Sequence, residues 1–337
     1  MADNQTLVEI KDLRTYFYLD EGTVRAVDGV SFDIKRGQVL GVVGESGCGK
    51  SITARSLLRI VPSPGRITDG QILYHRPAGS NGSSEVVDLT TLDHNSAEIR
   101  DIRGAEISMI FQEPMTSLSP VHTIGNQITE VITLHQKVKD NEAREIAIDT
   151  LDQVGMPQPS RTIDRYPHEL SGGMRQRAMI AMALSCHPTL LIADEPTTAL
   201  DVTTEAQILS LMRKLQDDLG MAIVFITHNL GVVAQMTEEV VVMYMGKVVE
   251  KANVDTLFYN AKHPYTQALL ESIPRLGYKS SERLASIRGS VPDPYSIPKG
   301  CPFHPRCSQA IPGVCDQDDP PIIDFEPGHS ARCHLYV

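Results

Sequence analysis

GESGCGKS, residues 44–51, follows the apolar run VLGVV (residues 39–43) and precedes a helix-compatible segment, residues 52–60. A strand, a glycine-rich turn and a helix start in this order are the context that a phosphate-binding loop requires. The glycines let successive backbone N–H groups point at one phosphate, and the N-terminal end of the helix adds positive charge. The alternative is a chance match in a glycine-rich turn. The flanking strand and helix favour a binding site for a nucleoside triphosphate.

The side chains of this loop have predicted roles. Lys50 can reach the β- and γ-phosphates, and the Ser51 hydroxyl can bind Mg²⁺. Contacts to the phosphates are also expected from Gly44, Glu45, Ser46, Gly47, Cys48, Gly49 and Ile52. Cys48 has two interpretations. It is a small residue that fills the turn, or it is a thiol whose pKa Lys50 and the helix N-terminus lower, so that alkylation blocks hydrolysis and MgATP protects against it.

Composition narrows the class of protein. The chain has 337 residues, enough for one large α/β domain and a smaller appendage. A net charge of −11, without a block of Lys and Arg, argues against a nucleic-acid-binding protein. No apolar run is long enough to cross a bilayer, and the N-terminus MADNQTLVEIKDL lacks the regions of a signal peptide. We therefore expect a cytoplasmic location.

Hydrophobic patterns predict further elements. Strands are predicted at residues 7–19, 30–34 and 105–111, and a surface hairpin at residues 71–92 with a loose tip at residues 79–84. In the first strand, Phe17 has two equally weighted interpretations, a core residue or a platform that stacks on the nucleobase; stacking is less favoured for Tyr16. A helical period from about residue 123 to residue 161 predicts a helical insertion in the α/β core.

Acidic residues end a second apolar run. LLIADEP, residues 190–196, predicts a buried parallel strand with Asp194 and Glu195 at its carboxyl end, where open α/β sheets bind ligands. Asp194 is placed to hold Mg²⁺ through water, and Glu195 to polarise the attacking water. Two solvated acids are the alternative, which the upstream phosphate loop disfavours. His228 ends the next predicted strand and is interpreted as a sensor of the γ-phosphate rather than a structural histidine.

The motifs stand in one order along the chain: GESGCGKS, Gln112, LSGGMRQR (residues 170–177), LLIADEPTTALD (residues 190–201) and His228. Together they resemble the ATP-binding cassette of ABC transporters, over roughly residues 7–251. The resemblance implies an α/β fold, with a RecA-like P-loop core, an antiparallel β subdomain and an inserted helical subdomain at about residues 115–178. It also implies that two cassettes dimerise head to tail, so that the signature motif of one completes the ATP site of the other.

The resemblance assigns roles to individual residues. It makes Gln112 the glutamine that senses Mg²⁺ and the membrane partner, Glu195 the general base and His228 the switch histidine. Mg²⁺ is then held by Ser51, Gln112 and Asp194. The signature residues that contact the γ-phosphate bound on the partner chain are Ser171, Gly172 and Gly173, and Asp201 belongs to the D-loop. Met174 departs from the commonest pattern, which has Gln, but the phosphate contact is expected to survive.

The C-terminal residues indicate which branch of the ABC transporter ATPases the chain resembles. HPYTQALL, residues 263–270, and the cysteines after it resemble the C-terminal region of dipeptide/oligopeptide permease ATPases, D-type subunit. This implies a cassette at residues 1–251 and an extension at residues 252–337. It also implies an ATPase that powers uptake of dipeptides or oligopeptides and lies peripherally at the cytoplasmic face of the inner membrane. The implied partners are two integral-membrane permease subunits, a second ATPase of F-type and, indirectly, an extracytoplasmic peptide-binding protein.

Two alternative functions stay open. Related importers of nickel or oligosaccharides share the architecture. A soluble ABC ATPase that acts on nucleic acid or ribosomes is disfavoured by the single signature, the acidic charge and the lack of a long coiled coil.

Four cysteines close the chain: Cys301, Cys307, Cys315 and Cys333, spaced C-x5-C-x7-C-x17-C. Two disulfides are disfavoured in a reducing cytosol. Zinc is an alternative, with His304, His329 and His334 nearby, but C-x2-C pairs are missing. Four thiolates suit an iron–sulfur cluster, and the family resemblance points to [4Fe–4S]. Its expected role is to pin a loop-rich tail, with redox regulation as the alternative.

Overall fold

The structure is a computed structural model that describes residues 6–76, 85–112, 117–198, 200–273 and 287–337. Its strands are β1 (Thr6–Leu19), β2 (Gly22–Lys35), β3 (Val39–Val43), β4 (Gly65–Arg76), β5 (Glu85–Asp88), β6 (Ile107–Ile110), β7 (Leu190–Asp194), β8 (Ala222–Thr227), β9 (Glu239–Tyr244), β10 (Lys247–Asn253), β11 (Ile322–Glu326) and β12 (His329–Arg332). Its helices are α1 (Lys50–Leu57), α2 (Ala97–Ala105), α3 (Ile124–His135), α4 (Asp140–Gln153), α5 (Pro159–Thr162), α6 (Gly172–Leu184), α7 (Val202–Leu219), α8 (Leu230–Met236), α9 (Val254–Asn260) and α10 (Pro264–Glu271). Short 3₁₀ turns lie at Pro167–Glu169, His304–Arg306 and His334–Tyr336.

An eight-stranded sheet forms the centre, in the order β11-β12-β10-β9-β3-β8-β7-β6. From β9 to β6 the strands are parallel. Strands β3, β7 and β8 are short apolar runs and are buried throughout, as strands covered on both faces must be. Because they are parallel, the residues that follow Val43, Asp194 and Thr227 lie along one edge of the sheet.

A second, antiparallel sheet has the order β2-β1-β4-β5. Strands β1 and β2 form a hairpin in which Leu19 pairs with Gly22. Buried apolar residues of both strands, such as Leu13 and Val30, pack in one core with α1 and the inner strands of the large sheet. The predicted tip of the following hairpin, residues 79–84, lies outside the described residues.

The predicted helical insertion contains separate helices, α3, α4 and α5, rather than one continuous stretch. The apolar faces that give this helical period are largely buried, including Ile128 and Ile132 on α3 and Ala143 and Ala147 on α4. Helix α3 ends at His135, because the backbone of Gln136 is extended. Helix α4 begins after Lys139, whose backbone is also extended. These helices share their core with α6.

The end of the chain joins the large sheet. Strand β12 pairs with β10, with Ala331 opposite Glu250, and β11 pairs with β12. Neither strand is among those predicted from the hydrophobic pattern of the sequence. The predicted boundary between cassette and extension, at residue 251, falls inside β10, so the extension continues the central sheet. No helix of the described ranges is long and apolar enough to cross a membrane.

Candidate active site

The phosphate loop follows β3, at the carboxyl edge of the large sheet. Gly44 and Gly49 have φ of +152° and +105°. A Cβ on Gly44 would lie 2.2 Å from the Met243 carbonyl oxygen, and one on Gly49 2.2 Å from that of Ala26. Both positions therefore require glycine. Lys50 begins α1, and its Nζ donates to the carbonyl oxygens of Gly44 at 2.8 Å and Glu45 at 3.1 Å, so the ammonium group lies against the loop.

Cys48 is buried inside this loop, with 3% of its surface exposed. Burial raises the pKa of the thiol, and this effect outweighs the opposite effect of Lys50. The expectation of a lowered thiol pKa is therefore wrong. The neighbouring charge was visible in the sequence, whereas the enclosure of the sulfur beside Gly44 depends on how the loop closes.

Ser51 and Asp194 meet across the sheet edge. The Ser51 hydroxyl donates to Oδ1 of Asp194 at 3.0 Å. Asp194 is 2% exposed, and burial raises the pKa of its carboxyl group, although the hydrogen bond from Ser51 acts in the other direction. Two of the three predicted magnesium ligands, Ser51 and Asp194, are thus adjacent, whereas the amide nitrogen of the third, Gln112, contacts Glu195. Two such oxygens suit Mg²⁺, which commonly takes one or two protein oxygens and completes its shell with substrate phosphates and water.

Glu195 lies at the centre of a polar cluster. Its carboxylate accepts hydrogen bonds from Gln112 Nε2 at 2.9 Å, Thr198 Oγ1 at 3.0 Å and His228 Nδ1 at 3.1 Å. A carboxylate only accepts, so Nδ1 of His228 carries the proton. The structure therefore brings together Gln112, Glu195 and His228, three residues to which the family resemblance assigns roles in the ATP site. Thr198 was missed, although it lies three residues after Glu195 in the same motif.

The charge state of Glu195 follows from these contacts. Burial alone would raise the pKa of the carboxyl group, but the hydrogen bonds from His228 and Thr198 outweigh burial and lower it. The carboxylate is therefore ionised at neutral pH. Its backbone has φ of +48°, and its N–H donates to the Ile226 carbonyl of β8 at 2.8 Å. An ionised carboxylate held at the sheet edge can accept a proton from water.

The signature turn presents polar groups to solvent. Ser171 is exposed and caps α6, where its Oγ accepts from Met174 N at 3.3 Å. Met174 is partly buried against the core of the helical region, which accommodates the departure from Gln. Asp201 is exposed and caps α7, and hydrogen bonds from the Thr204 side chain and backbone lower its pKa. Within the described ranges, no hydrogen bond links Ser171, Gly172 or Gly173 to the phosphate loop.

Phe17 is half-buried on β1, where it pairs with Gly65 of β4. A Cβ on Gly65 would lie 2.6 Å from the Phe17 ring, so the missing side chain makes room for the aromatic ring. The neighbouring Tyr16 is engaged in a hydrogen bond, in which its hydroxyl donates to the Asp28 carboxylate at 2.7 Å. One face of Phe17 is packed and part of its surface is open, so both the core and the stacking interpretations stay predictions.

The four C-terminal cysteines line one small cavity of about 10 Å³. All six cysteines are free thiols. Burial raises the pKa of Cys301 to about 11, and it also raises the pKa of Cys307 and Cys333. Among the described residues, no group of three or more His, Cys, Asp or Glu side chains is arranged to hold a single metal ion. The structure therefore gathers the predicted ligands without forming a compact single-ion site.

The histidines near this cavity have other partners. His329 Nε2 lies 3.0 Å from Glu250 Oε1, His304 Nδ1 lies 2.9 Å from the Cys301 carbonyl oxygen, and His334 Nε2 lies 2.9 Å from that of Asp318. Glu250 is fully buried and also accepts from the backbone N–H groups of Lys262 and His263. The histidines proposed for a zinc site are thus engaged in the packing of the tail. Each of these hydrogen bonds occupies one ring nitrogen, and His304 and His334 also line the cavity, so the arrangement does not separate zinc from an iron–sulfur cluster.

Comparisons with known proteins agree with this geometry. The family model described as ABC transporter matches residues 27–198. The chain belongs to the ABC transporter family. A second family model, oligopeptide/dipeptide transporter, C-terminal region, matches residues 249–315. The predicted membership among peptide permease ATPases is thereby confirmed.

Curated relatives extend over nearly the whole chain. The probable peptide ABC transporter ATP-binding protein y4tR of Sinorhizobium fredii is 49% identical, over 97% of this chain and 94% of its own length. The oligopeptide transport ATP-binding protein AppD of Bacillus subtilis is also 49% identical, over 98% and 97%. The dipeptide transport ATP-binding protein DppD of the same organism is 45% identical, over 98% and 95%.

Solved structures match the cassette. The ATP-binding cassette MJ0796, in a dimeric post-hydrolysis state bound to ADP and Pi, is 26% identical with a TM-score of 0.62, covering 74% of this chain and 99% of MJ0796. CbiO1 of Clostridium perfringens, part of an ABC transporter complex, is 26% identical with a TM-score of 0.60, covering 76% and 91%. The predicted ABC cassette fold is confirmed by these matches.

Proposed function

We propose that this chain is the ATP-hydrolysing subunit of an importer that takes up dipeptides or oligopeptides through partner membrane permeases. The observation that carries the ATPase mechanism is the convergence of Gln112, Glu195 and His228 beside the pair formed by Ser51 and Asp194. The peptide cargo is supported by the names of the relatives and by the match of the tail to the oligopeptide/dipeptide transporter region.

The proposed chemistry assigns each residue one task. The loop amides and Lys50 hold the phosphates, and the Glu195 carboxylate removes a proton from the water that attacks the γ-phosphate. His228 orients Glu195 and responds to the γ-phosphate. Gln112, which lies just after β6, holds the Glu195 carboxylate through a hydrogen bond. Phe17 supports the nucleobase.

Magnesium binding is assigned to Ser51, Gln112 and Asp194. The ion would neutralise charge on the phosphates during transfer. The protein's part is to hold the Ser51 hydroxyl and the buried Asp194 carboxylate side by side, which the 3.0 Å hydrogen bond supports. A carboxyl group with a raised pKa is sensitive to a nearby cation, because the cation favours its ionised form.

The exposed signature turn is proposed to act on a second ATPase. Ser171, Gly172 and Gly173 precede or begin α6, so their backbone N–H groups and the Ser171 hydroxyl form an anion site open to a partner. MJ0796 is a dimer in its solved structure, which supports the pairing of two cassettes. The proposed partner is an F-type ATPase, with Asp201 at the interface. Two integral-membrane permeases would place the chain at the cytoplasmic face of the membrane, and an extracytoplasmic peptide-binding protein would deliver the peptide.

The cysteine cavity is proposed to hold a [4Fe–4S] cluster, with zinc as the alternative. Four thiols line one cavity, and four thiolates are the ligand set of an iron–sulfur cluster. A cluster would fix the turn that contains Cys301 and Cys307 to the two strands of the tail.

Metal analysis tests this assignment. The full chain is purified without oxygen, and iron, sulfide and zinc are measured with visible absorption. We expect about four irons and four sulfides per chain, lost when Cys315 is replaced by Ser but kept when Cys186 is replaced by Ser. Zinc without iron would replace the cluster by a zinc site.

Transport in proteoliposomes tests the function. The complete transporter is assembled with the permeases and the binding protein, and uptake of labelled dipeptides, a pentapeptide, Ni²⁺ and an oligosaccharide is measured with ATP inside. We expect peptide uptake only, absent when Lys50 is replaced by Ala. Uptake of nickel or the sugar instead of peptide would change the cargo, and peptide uptake by the Lys50→Ala variant would remove the proposed ATP site.

A further inference from the structure

An ion pair joins the C-terminal extension to the phosphate loop. Arg306 Nη1 and Nη2 donate to the two carboxylate oxygens of Glu45 at 2.6 and 3.0 Å, across 261 residues of sequence. Glu45 is the second residue of GESGCGKS. The Arg306 side chain is 4% exposed and that of Glu45 24%. Two parallel hydrogen bonds fix the relative position of the two groups in a way that a single surface contact does not.

The same face of the extension also holds the loop backbone. The Glu45 N–H donates to the Tyr265 hydroxyl at 2.8 Å. Tyr265 is fully buried and lies against Tyr244 and Phe303, with ring centroids 4.6 and 5.3 Å away. The loop is therefore tied to the extension through both the side chain and the backbone of Glu45.

Arg306 is itself held in place by the extension and by β9. Its guanidinium group lies over the rings of Tyr244 and Phe303, at 5.9 and 6.0 Å from their centroids. Its Nε donates to the Arg288 carbonyl at 3.1 Å. It occupies the 3₁₀ turn His304–Arg306, between Cys301 and Cys307, so the part of the tail that lines the cysteine cavity also carries the contact to the loop.

The Glu45 carboxylate places a negative charge in the phosphate loop, and the Arg306 guanidinium group neutralises it. A carboxylate in a loop that binds polyphosphate repels the ligand unless a cation neutralises it. The adjacent Lys50 already donates to two loop carbonyls, and its charge is needed at the phosphates. Arg306 supplies the second positive charge from outside the loop.

We propose that Arg306 and Tyr265 are positioning residues that hold the phosphate loop in its nucleotide-binding shape, so that order in the turn from Cys301 to Cys307 sets the affinity for ATP. This inference rests on the proposed role of residues 44–51 as the phosphate loop. Because binding couplings are reciprocal, whatever orders the cysteine turn strengthens nucleotide binding, and nucleotide binding stabilises the turn.

The test measures MgADP binding to the full chain by calorimetry, since ADP avoids turnover. We expect Arg306→Gln to weaken binding about tenfold, within the usual range of coupling between sites. Arg306→Lys keeps the charge but loses the forked geometry, and we expect a loss of about threefold, because one of two hydrogen bonds remains possible. The control is Lys299→Gln, which removes a positive charge that contacts Gln317 within the same extension.

Two further readouts separate positioning from folding. Amide hydrogen exchange at residues 44–50 should be faster in Arg306→Gln than in the wild type. In the assembled transporter this variant should raise the KM for ATP and leave kcat unchanged, whereas a smaller folded fraction would lower kcat alone. The double variant Glu45→Gln/Arg306→Gln should remain weaker than the wild type, because the anchor is absent.

The outcomes are distinct. Wild-type affinity in both Arg306 variants, or full recovery in the double variant, would overturn the positioning role. If Arg306→Gln does not accumulate as folded protein, the MgADP affinity of Arg306→Lys provides the test: wild-type affinity would overturn the positioning role, and weaker binding would support it. Loss of binding in Lys50→Ala together with normal binding in the Arg306 variants would reject this inference alone, whereas normal binding in Lys50→Ala would reject the phosphate loop itself.

Discussion

Gln112 Nε2 lies 2.9 Å from Oε2 of Glu195, so the second residue after edge strand β6 holds the acid that follows β7. Thr198 donates to the same oxygen, and His228 contacts the other one. Glu195 is thus oriented from three directions, by groups from separate parts of the sheet edge. A displacement of Gln112 would change one of the contacts that orient the proposed general base, Glu195.

Replacement of Glu195 by Gln should abolish the base without disturbing the phosphate loop. We expect single-turnover hydrolysis in the assembled transporter to fall by about 10²–10⁴-fold, the usual contribution of general base catalysis. The dissociation constant for MgATP should stay within about twofold, because Glu195 is not a phosphate ligand in this assignment. Glu98→Gln, a change in the first turn of α2, is the control. Near-native hydrolysis in Glu195→Gln would remove the residue from this role.

Replacement of Asp194 by Asn should weaken magnesium binding. An amide lacks the charge that attracts the cation, although it can still accept the hydrogen bond from Ser51. We expect the Mg²⁺ concentration for half-maximal ATPase activity to rise about tenfold, as for the loss of about 1.4 kcal/mol of binding. Asp217→Asn, at an exposed position of α7, serves as the control. An unchanged Mg²⁺ requirement would argue that Asp194 is only structural.

Cys48 should react slowly with iodoacetamide in the native protein. The thiolate is the reactive form, and burial both raises the thiol pKa and shields the sulfur. At pH 7.5 we expect alkylation at Cys48 to be slower in the native protein than in urea, where the thiol is exposed and burial no longer raises its pKa. Mass spectrometry of the labelled peptides measures both rates. Equal rates in native and unfolded protein would restore the reactive interpretation.

The sequence predicted the parts of the site that follow short buried strands. Runs such as VLGVV and LLIAD have few alternatives to parallel strands, and polar residues after them must meet at the carboxyl edge. The convergence of Ser51 with Asp194, and of Glu195 with His228, follows from that rule. The order of the strands in the sheet does not follow from that rule, because each apolar run could pair with any other.

Long-range contacts of the tail could not be predicted. Arg306 and Glu45 are ordinary charges in sequence, and the tail contains several other acidic and basic residues that could have been paired with them. Strands β11 and β12 lie among prolines and are short, so their pattern is weak. Burial of Cys48 depends on the positive φ of the surrounding glycines, which the motif permits without specifying the resulting enclosure.

His263 makes the stability of the protein depend on pH, because the extension packs around the neutral form of its imidazole ring. It is 1% exposed and caps α10, where its Nδ1 accepts from Tyr265 N at 3.0 Å. Burial lowers the pKa of His263 to about 3. In the unfolded chain the pKa is about 6.5. Between these values the unfolded chain binds a proton that the native protein does not, so this contribution to stability is complete above pH 6.5 and declines as the pH falls.

The expected difference can be measured with His263→Asn, since Asn caps helices well and does not titrate. Between pH 7.5 and 5.5 the wild type should lose about 1.4 kcal/mol of unfolding free energy that the variant retains. Urea unfolding followed by far-ultraviolet circular dichroism is suitable, since the chain contains no Trp. Glu239 does not interfere, because hydrogen bonding to Lys35 overcomes the effect of burial and lowers its pKa, so its contribution is lost only below this window. Parallel pH profiles for the two proteins would show that His263 is protonated in the folded state.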